Sequence, residues 1–418
     1  MTRVHRDPAS TLPSSTQSAT ATAEARQEPR RAIVIGAGLA GASACVHLAR
    51  HGWQLELIDR HPEAAMAASA LPVGMLSPHV TRSPTPLSRL TALGVPLARS
   101  ELAAAVPAGQ GWQACEVDNL GADAGRWPAA LVRPAALVQA WLDEARMRTT
   151  LVCHWSARAA AIARAELPDG RVTWRVADPD GRTVAQAPTV VVAAALGSLE
   201  LVASPGPSDA ASSFPLHPVK GQLSLAALQG PPLAPRPRRD QGVFVPSYED
   251  SGLPPRWPAR LWAMGSTYER GQDNRALSAA AHLQNADSLG RLQPAAGKHM
   301  REELAAGRLL GWAEVRCASL DRLPLVGPLP DLDAFRRTNR GPAPGQRRPA
   351  LREVPRLPGL YMLCALGSRG LSLAALCGRL LVEQIESAPT DIPADLVAAL
   401  DPARFAWRQA RRQPVRPP

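Results

Sequence analysis

Lysine is almost missing from this chain of 418 residues: Lys220 and Lys298 stand against 45 arginines, so the formal net charge of +11 is an arginine charge. Aromatic residues are scarce at 4%, which leaves aliphatic side chains to fill the interior; at 45% hydrophobic, the chain has material for sizeable cores and length for two or three domains. No apolar run approaches the roughly 20 residues that a membrane-spanning helix needs. Residues 1–30 lack the apolar stretch of a secretory signal and, rich in Ser, Thr, Ala and charge, read as a disordered leader. The six cysteines (Cys45, Cys115, Cys153, Cys317, Cys364 and Cys377) form no C-x-x-C pair, which argues against a zinc site and suits reduced thiols of a cytoplasmic protein. His79 and the other histidines have no metal-ligating spacing either, so no metal is expected.

What is present is concentrated between Ala32 and Arg60. An apolar, β-branched run at 32–35 reads as a buried parallel strand, and Gly36, Gly38 and Gly41 follow in G-x-G-x-x-G spacing before a proline-free, Ala/Leu/Val-rich helix. Gly36 permits the tight turn, Gly38 lets the backbone approach a pyrophosphate, and Gly41 lets the helix pack on the strand. The helix N-terminus then receives the phosphate charge. A second strand, 54–58, ends at Asp59, 18 residues past Gly41, where a carboxylate can accept hydrogen bonds from ribose hydroxyls. Together these pieces make a dinucleotide-binding unit. The pattern occurs once, so nothing points to a second site for a nicotinamide reductant.

The rest of the sheet is expected from distant segments. Arg133-Pro134 opens a helical pattern over 135–147, with proline in the first turn where its missing N–H costs little. The run 188–195 reads as a buried strand closing on Gly197. Between 214 and 310 the character changes: strand-like pieces at 222–225, 243–246 and 261–265 flank a Pro/Arg-rich loop at 231–239, and a helix follows at 278–292. From 311 the nucleotide-domain character returns, with a strand at 361–366, a turn at 367–370 and a helix at 371–385.

The positive charge is uneven. Residues 331–358 carry seven arginines against three acids, and 401–418 carry five against one. Such clusters suit a phosphate-rich partner such as a nucleic acid, and equally a solvated arginine-rich surface.

Six segments, in order over about residues 32–407, carry a resemblance: GAGLAGASACVHLARHGWQLELID, AASALPVGMLSPHVTRSPTPLSRL, PLHPVKGQLS, MGSTYERGQDNRALSAAAHLQN, EVRCASLDRLPLVGPLPD and LCALGSRGLSLAALCGRLL. With them the chain resembles the FAD-dependent D-amino-acid-oxidase-like superfamily. Within it, the likeness is to the oxidoreductase half of the bifunctional tRNA 5-methylaminomethyl-2-thiouridine biosynthesis proteins. The resemblance implies an α/β fold: a Rossmann-like FAD-binding domain of the glutathione-reductase or D-amino-acid-oxidase type, with an inserted mixed β-sheet substrate domain. The FAD domain is expected over 31–75, 130–205 and 311–395, the substrate domain over 76–129 and 206–310, and a basic C-terminal tail over 396–418. Where the family has Gly-Ala-Ser-Gly-Asn against the flavin, this chain has Ala67 to Leu71 and keeps Ala68 and Ser69; Lys220 replaces an arginine.

The resemblance also implies residues and chemistry. Non-covalent FAD would be held by Gly36, Gly38, Gly41, Asp59, Arg60, Ser69, Gly74, Gly197, Gly367, Ser368, Gly370 and Leu371. Arg316 takes the position that grips a substrate carboxylate, Arg369 sits in a glycine turn where flavin or substrate oxygens meet backbone N–H groups, and Tyr268 and Arg270 are weaker substrate-side candidates. Cys317 is read as packing in preference to a covalent flavin anchor. The implied reaction removes the carboxymethyl group of 5-carboxymethylaminomethyl-uridine at the tRNA wobble position, leaving 5-aminomethyl-uridine, with tRNA as partner and a separate methyltransferase acting next. Two other readings remain beside it: a small-molecule amine oxidase for glycine, sarcosine or a D-amino acid, and a non-catalytic, flavin-stabilised tRNA-binding subunit.

Overall fold

The computed structural model describes residues 29–121, 124–203, 213–338 and 348–412. The leader expected at 1–30 lies, up to residue 28, outside the described residues. Six strands form the nucleotide sheet: β1 (Arg31–Ile35), β2 (Gln54–Ile58), β6 (Leu151–His154), β10 (Thr189–Val192), β17 (Leu325–Pro330) and β18 (Arg356–Cys364), in the order β17-β18-β10-β1-β2-β6. All pair in parallel except β17, which runs antiparallel to β18. β1 and β10 are Val/Ile-rich because both of their faces are covered. On one face lie α1 (Leu39–Arg50), α2 (Pro86–Ala105), α3 (Pro134–Arg148) and the helix Gly370–Ile385, around one apolar core. On the other lies a small antiparallel sheet of β7 (Ala161–Glu166), β8 (Val172–Ala177) and β9 (Thr183–Ala187), with α4 (Ser198–Ala203) beside it.

A second, larger sheet is built from β3 (Gly74–Leu76), β4 (Trp112–Asn119), β5 (Gly125–Val132), β11 (Leu216–Ala227), β12 (Arg238–Asp240), β13 (Gly242–Glu249), β14 (Arg260–Gly265), β15 (Glu269–Arg270) and β16 (Leu310–Ser319). The long antiparallel ladder of β11 and β16 sets Val219 opposite Arg316 and Gly221 opposite Glu314. Helix Ala279–Leu292 is fixed onto this sheet by a buried polar network: Asn285 donates to Ser224 Oγ at 2.9 Å and to the Gln222 carbonyl at 3.0 Å, and His282 meets Ser224 at 2.8 Å.

Three expectations need correction. Helix α2, within the stretch 76–129 expected for the substrate domain, packs in the core on the nucleotide sheet. β16 lies in the larger sheet, although its residues fall almost wholly within 311–395, the stretch expected to return to the nucleotide domain; it pairs along its length with β11, and its first half is only partly buried, unlike a strand covered on both faces by helices. The segment 396–418, expected as a tail, is folded as far as it is described: helices Ala394–Leu400 and Arg404–Arg412 pack on the body. Arg404 is only 1% exposed and donates to both carboxylate oxygens of Asp321, at 3.0 and 2.8 Å, and to the Leu323 carbonyl at 2.9 Å. A charge run had hidden a buried ion pair.

Candidate functional site

The carboxyl ends of β1, β2, β10 and β18 open into one cavity of about 990 Å³, closed on its far side by the larger sheet. Ligands of open α/β sheets bind at such a crevice. The nucleotide-sheet wall consists of the segments 35–40, 58–61, 193–197 and 364–371. Gly36 has φ +109°, and a Cβ there would stand 2.5 Å from the Ala193 carbonyl oxygen; a Cβ on Gly41 would stand 1.7 Å from the Gly36 carbonyl oxygen. Both glycines are therefore required by backbone packing alone. Gly38 caps α1 without a side-chain hydrogen bond, so the helix N-terminus is left to meet an anion, apart from the Leu39 N–H that Ser69 Oγ accepts at 3.1 Å.

Asp59 is fixed at the end of β2. Oδ2 accepts from the Ala37 N–H at 2.6 Å and Oδ1 from the His61 N–H at 2.9 Å, with His61 Nδ1 at 2.8 Å. Its lone pairs in excess of these bonds are what ribose hydroxyls would use. Of the residues implied for the cofactor, Gly36, Gly38, Asp59, Arg60, Ser69, Gly74, Gly197, Gly367, Ser368, Gly370 and Leu371 line the cavity. Gly41 does not; it brings α1 against the strand. The cradle thus fits an extended dinucleotide, with a second uncapped helix N-terminus, at Gly370, further along the cavity wall.

The opposite wall carries Arg239, Arg275 and Arg316 together with Asp240, Asp273 and Glu314, with Arg275 paired to Glu314 at 2.7 Å, while Arg369 faces the cavity from the nucleotide-sheet side. Arg316 of β16 donates from Nη2 to Ser266 Oγ and has no carboxylate partner among the described residues. Its guanidinium lies over the backbone of Gly221, where a Cβ would be 2.0 Å from Nη2. Burial pulls its pKa below the ordinary arginine value. Arg369, the N-cap of helix Gly370–Ile385, donates from Nη2 to His79 Nδ1 at 3.2 Å. Its pKa is also lowered, by burial first and then by the like charges of Arg239 and Arg322.

Tyr268 lines the cavity but is 44% exposed, with the Arg270 guanidinium 5.7 Å from its ring centre, which places it at the rim. Lys220 is buried away from the cavity and donates to Asn274 Oδ1 at 3.0 Å. Cys317 and Cys364 lie together where the apolar core meets the cavity lining, and a hydrogen bond with Cys317, together with burial, pushes the Cys364 thiol well up.

Arg239 is the residue that sequence reading missed. It closes the Pro/Arg-rich stretch read as a loop, yet it belongs to β12, where strand alternation sends Arg238 to the Leu292 carbonyl and Arg239 to the cavity wall. Burial lowers its pKa too, and no carboxylate pairs with it among the described residues. Gly221 lies within the segment PLHPVKGQLS, where nothing nearby in the sequence marks its approach to Arg316.

Comparison with known proteins agrees with this geometry. The profile of the family described as FAD dependent oxidoreductase matches residues 31–117 and 97–384. The chain is 33% identical to the tRNA 5-methylaminomethyl-2-thiouridine biosynthesis bifunctional protein MnmC of Verminephrobacter eiseniae over 92% of this chain and 65% of that protein. It is 35% identical to the protein of the same name from Ralstonia nicotianae, over 91% and 61%. The chain therefore spans less than two thirds of the length of these relatives. Among solved structures, glycine oxidase from Geobacillus kaustophilus is similar in fold, with TM-score 0.62 and 17% identity over 89% of this chain and 98% of that one. Iminodiacetate oxidase from Chelativorans has TM-score 0.59 and 20% identity over 87% and 97%. A single dinucleotide cradle at the strand ends, walled by a second sheet, is the arrangement expected of the family that the profile matches, and the chain belongs to the FAD dependent oxidoreductases.

Proposed function

We propose that this chain oxidatively removes the carboxymethyl group of 5-carboxymethylaminomethyl-uridine at the wobble position of tRNA, leaving 5-aminomethyl-uridine. The names of the relatives support the tRNA substrate. The observation that carries the chemistry is Arg316: a recessed guanidinium on the cavity wall, with a neutral serine for its only side-chain hydrogen-bond partner among the described residues. Filling the cavity expels water, and a desolvated cation then requires an anion beside it. The modified arm of the nucleoside is an N-substituted glycine and brings one carboxylate, which a planar arginine fork takes bidentately.

Bound FAD supplies a two-electron acceptor for the hydride of the glycine methylene. Arg316 and Ser266 orient the carboxylate so that this methylene is presented, and the positive charges of Arg316 and Arg369 disfavour protonation of the substrate amine, whose lone pair must be free as the C–H bond breaks. The resulting substrate imine adds water and separates into amine and glyoxylate. Gly36, Gly38, Asp59, Ser69, Gly197 and the 367–371 turn hold the cofactor on this reading, without a covalent bond. The burial of Cys317 among apolar side chains favours packing for that residue. We assign the cofactor-holding unit to the six-stranded sheet and the substrate wall to the larger sheet. Tyr268 serves at the entrance, a separate methyltransferase acts on the product, and the reaction takes place in the cytoplasm.

The test is nucleoside mass spectrometry of tRNA from cells with and without the gene, together with anaerobic reduction of the purified yellow protein by modified tRNA. Loss of the gene should accumulate the carboxymethylaminomethyl nucleoside, and acid denaturation should release free FAD. Rapid bleaching by glycine or sarcosine with no response to tRNA would replace this reading with a small-molecule oxidase.

A further inference from the structure

Arg316 accounts for one anion. Of the other arginines that line the cavity, Arg158 pairs with Glu200, Arg275 pairs with Glu314 and Arg60 stands beside Asp59 in the cofactor cradle, which leaves Arg239 and Arg369, both clamped to the same short segment, Ser77-Pro78-His79. Arg239 donates from Nη1 to Ser77 Oγ at 2.5 Å and to the Pro78 carbonyl at 2.8 Å, and from Nε to Asn119 Oδ1 at 3.2 Å. Arg369 donates from Nη2 to His79 Nδ1 at 3.2 Å. Three neutral acceptors thus fix the plane of Arg239 through Nε and Nη1 and leave Nη2 without a partner among the described residues, on a residue that lines the cavity. Arg369 keeps Nε and Nη1 in the same state. Two guanidinium groups held on neighbouring residues of one segment repel each other, and neither has a carboxylate partner among the described residues. Such an arrangement is stable in a filled cavity only with an anion between or beside them.

We infer that Arg239 and Arg369 form a second anion subsite, distinct from Arg316, which takes a phosphodiester flanking the wobble nucleotide. This rests on the tRNA reading above. The modified base carries a single carboxylate, already assigned to Arg316, and the only other anions of the substrate are its backbone phosphates. Arginine forks match phosphate oxygens, and phosphate contacts fix register without reading sequence. A nucleotide whose base must reach a recessed flavin is drawn out of its stack. A fixed pair of cations, Arg239 on the larger sheet and the Arg369 side chain at the head of helix Gly370–Ile385, gives its backbone a place to stop.

The test compares ligands that differ only in phosphate. Binding of uridine 3′,5′-bisphosphate and of uridine to the FAD-loaded protein is read from the flavin absorbance, and anaerobic flavin reduction is measured with the 5-carboxymethylaminomethyl nucleoside and with an anticodon stem-loop carrying it. Wild type should bind the bisphosphate at least tenfold more tightly than uridine. In Arg239→Gln that preference, and the preference for stem-loop over nucleoside in kcat/KM, should fall by tenfold or more. Arg239→Lys, which keeps the charge, should retain most of both, and it carries the test if the Gln variant does not hold flavin. Equal binding of bisphosphate and uridine by wild type overturns the subsite whether or not turnover is seen. So does a Gln variant that loses nucleoside and stem-loop turnover in equal proportion. Flavin reduction by neither modified substrate, with the bisphosphate preference intact, overturns the proposed reaction and leaves the phosphate subsite standing.

Discussion

Arginine is used in two opposite ways in this molecule. Away from the cavity, Arg404 and Arg50 are paired with carboxylates: Arg404 holds Asp321, while Arg50 bridges Glu101 at 2.7 and 2.8 Å and Glu144 at 2.9 and 2.7 Å and so ties α1 to α2 and α3. On the cavity wall, Arg316, Arg239 and Arg369 touch serines, an amide oxygen, a carbonyl and a histidine nitrogen, and no acid among the described residues. The first set is electrically complete within the fold. The second is complete only when something anionic arrives. In a chain with nearly all its positive charge on arginine, the residue type says nothing about which role a given position has, and the partner says everything.

The largest effects should separate the two sets cleanly. Arg404→Met leaves a recessed Asp321 with only the more exposed Arg408, at 3.0 Å, and should cost about 3–5 kcal/mol of stability, read as a shift in the urea midpoint of the flavin-loaded protein. Arg316→Met should leave that midpoint unchanged or raise it, because a partly desolvated cation is removed. Its cost of about 2–5 kcal/mol should appear instead in productive substrate binding, measured by flavin reduction. Reversal of the pattern, with Arg316→Met unfolding and Arg404→Met inactive but stable, would undo the comparison.

Acid should find the complete set first. His47 is buried beside Arg50, and burial and that charge lower its pKa from 6.5 to about 4; hydrogen bonds from Arg50, working against desolvation, bring Glu144 down to about 2. Burial would raise Glu101, yet hydrogen bonds from Arg50 and Trp141 leave it net lowered. All three groups bind protons more tightly in the unfolded chain, so their contribution is present above pH 6.5 and is lost as pH falls, through His47 between 6.5 and about 4 and through Glu144 between about 4.5 and 2. Unfolding free energy followed from pH 7 to 3 should decline in that order. Replacing His47 by Gln should flatten the upper part of the profile; an unchanged slope there would exclude His47 as its source.

The dinucleotide half of the site was legible because its constraints are local. Gly36, Gly38 and Gly41 are required by backbone atoms a few residues away, and Asp59 follows one strand later, so the spacing carries the geometry. The helix Pro86–Ala105 escaped notice because Pro96 lies within it, although Thr85-Pro86 and Ser88 spell a capping box with proline in the first turn. The anion wall is the opposite case. Arg239 meets Ser77 and Pro78 at 162 and 161 residues' distance, and Arg369 meets His79 at 290. No window of sequence contains both sides of such a contact. Arg404, counted with the basic tail, was misread for the same reason, since its partner Asp321 is 83 residues upstream.

Gly221 offers a smaller perturbation on the incomplete side. A methyl group there would meet the Arg316 guanidinium at 2.0 Å, so Gly221→Ala should push the side chain out of its seat or spread β11 from β16. Overpacking of this kind costs about 1–3 kcal/mol. The expected signature is a raised KM for the carboxylate-bearing nucleoside with flavin still bound; normal KM and unchanged spectrum would mean that Arg316 is seated elsewhere when the cavity is full.

The smallest expected effect lies at the C-terminal helix, where the two uses of arginine meet within nine residues. Arg404 is committed to Asp321, and Arg408 donates to the same carboxylate. Arg411 instead lies 4.9 Å from the ring centre of Trp407, a contact that holds the stem while leaving the charge for a partner, and Arg412 is exposed. If this face meets tRNA backbone, each arginine that touches a phosphate releases condensed counterions, and affinity falls with salt accordingly. Changing Arg411 and Arg412 to Gln should then weaken tRNA binding modestly at low salt and reduce the slope of log affinity against log salt by about one unit for each arginine–phosphate pair removed. Arg408→Gln should alter that slope less, because its charge is already matched by Asp321. Titration of unmodified tRNA across a salt series measures wild type and both variants. Equal slopes in wild type and the double variant would place the tRNA on another face and leave the C-terminal helix with Arg404 as its purpose.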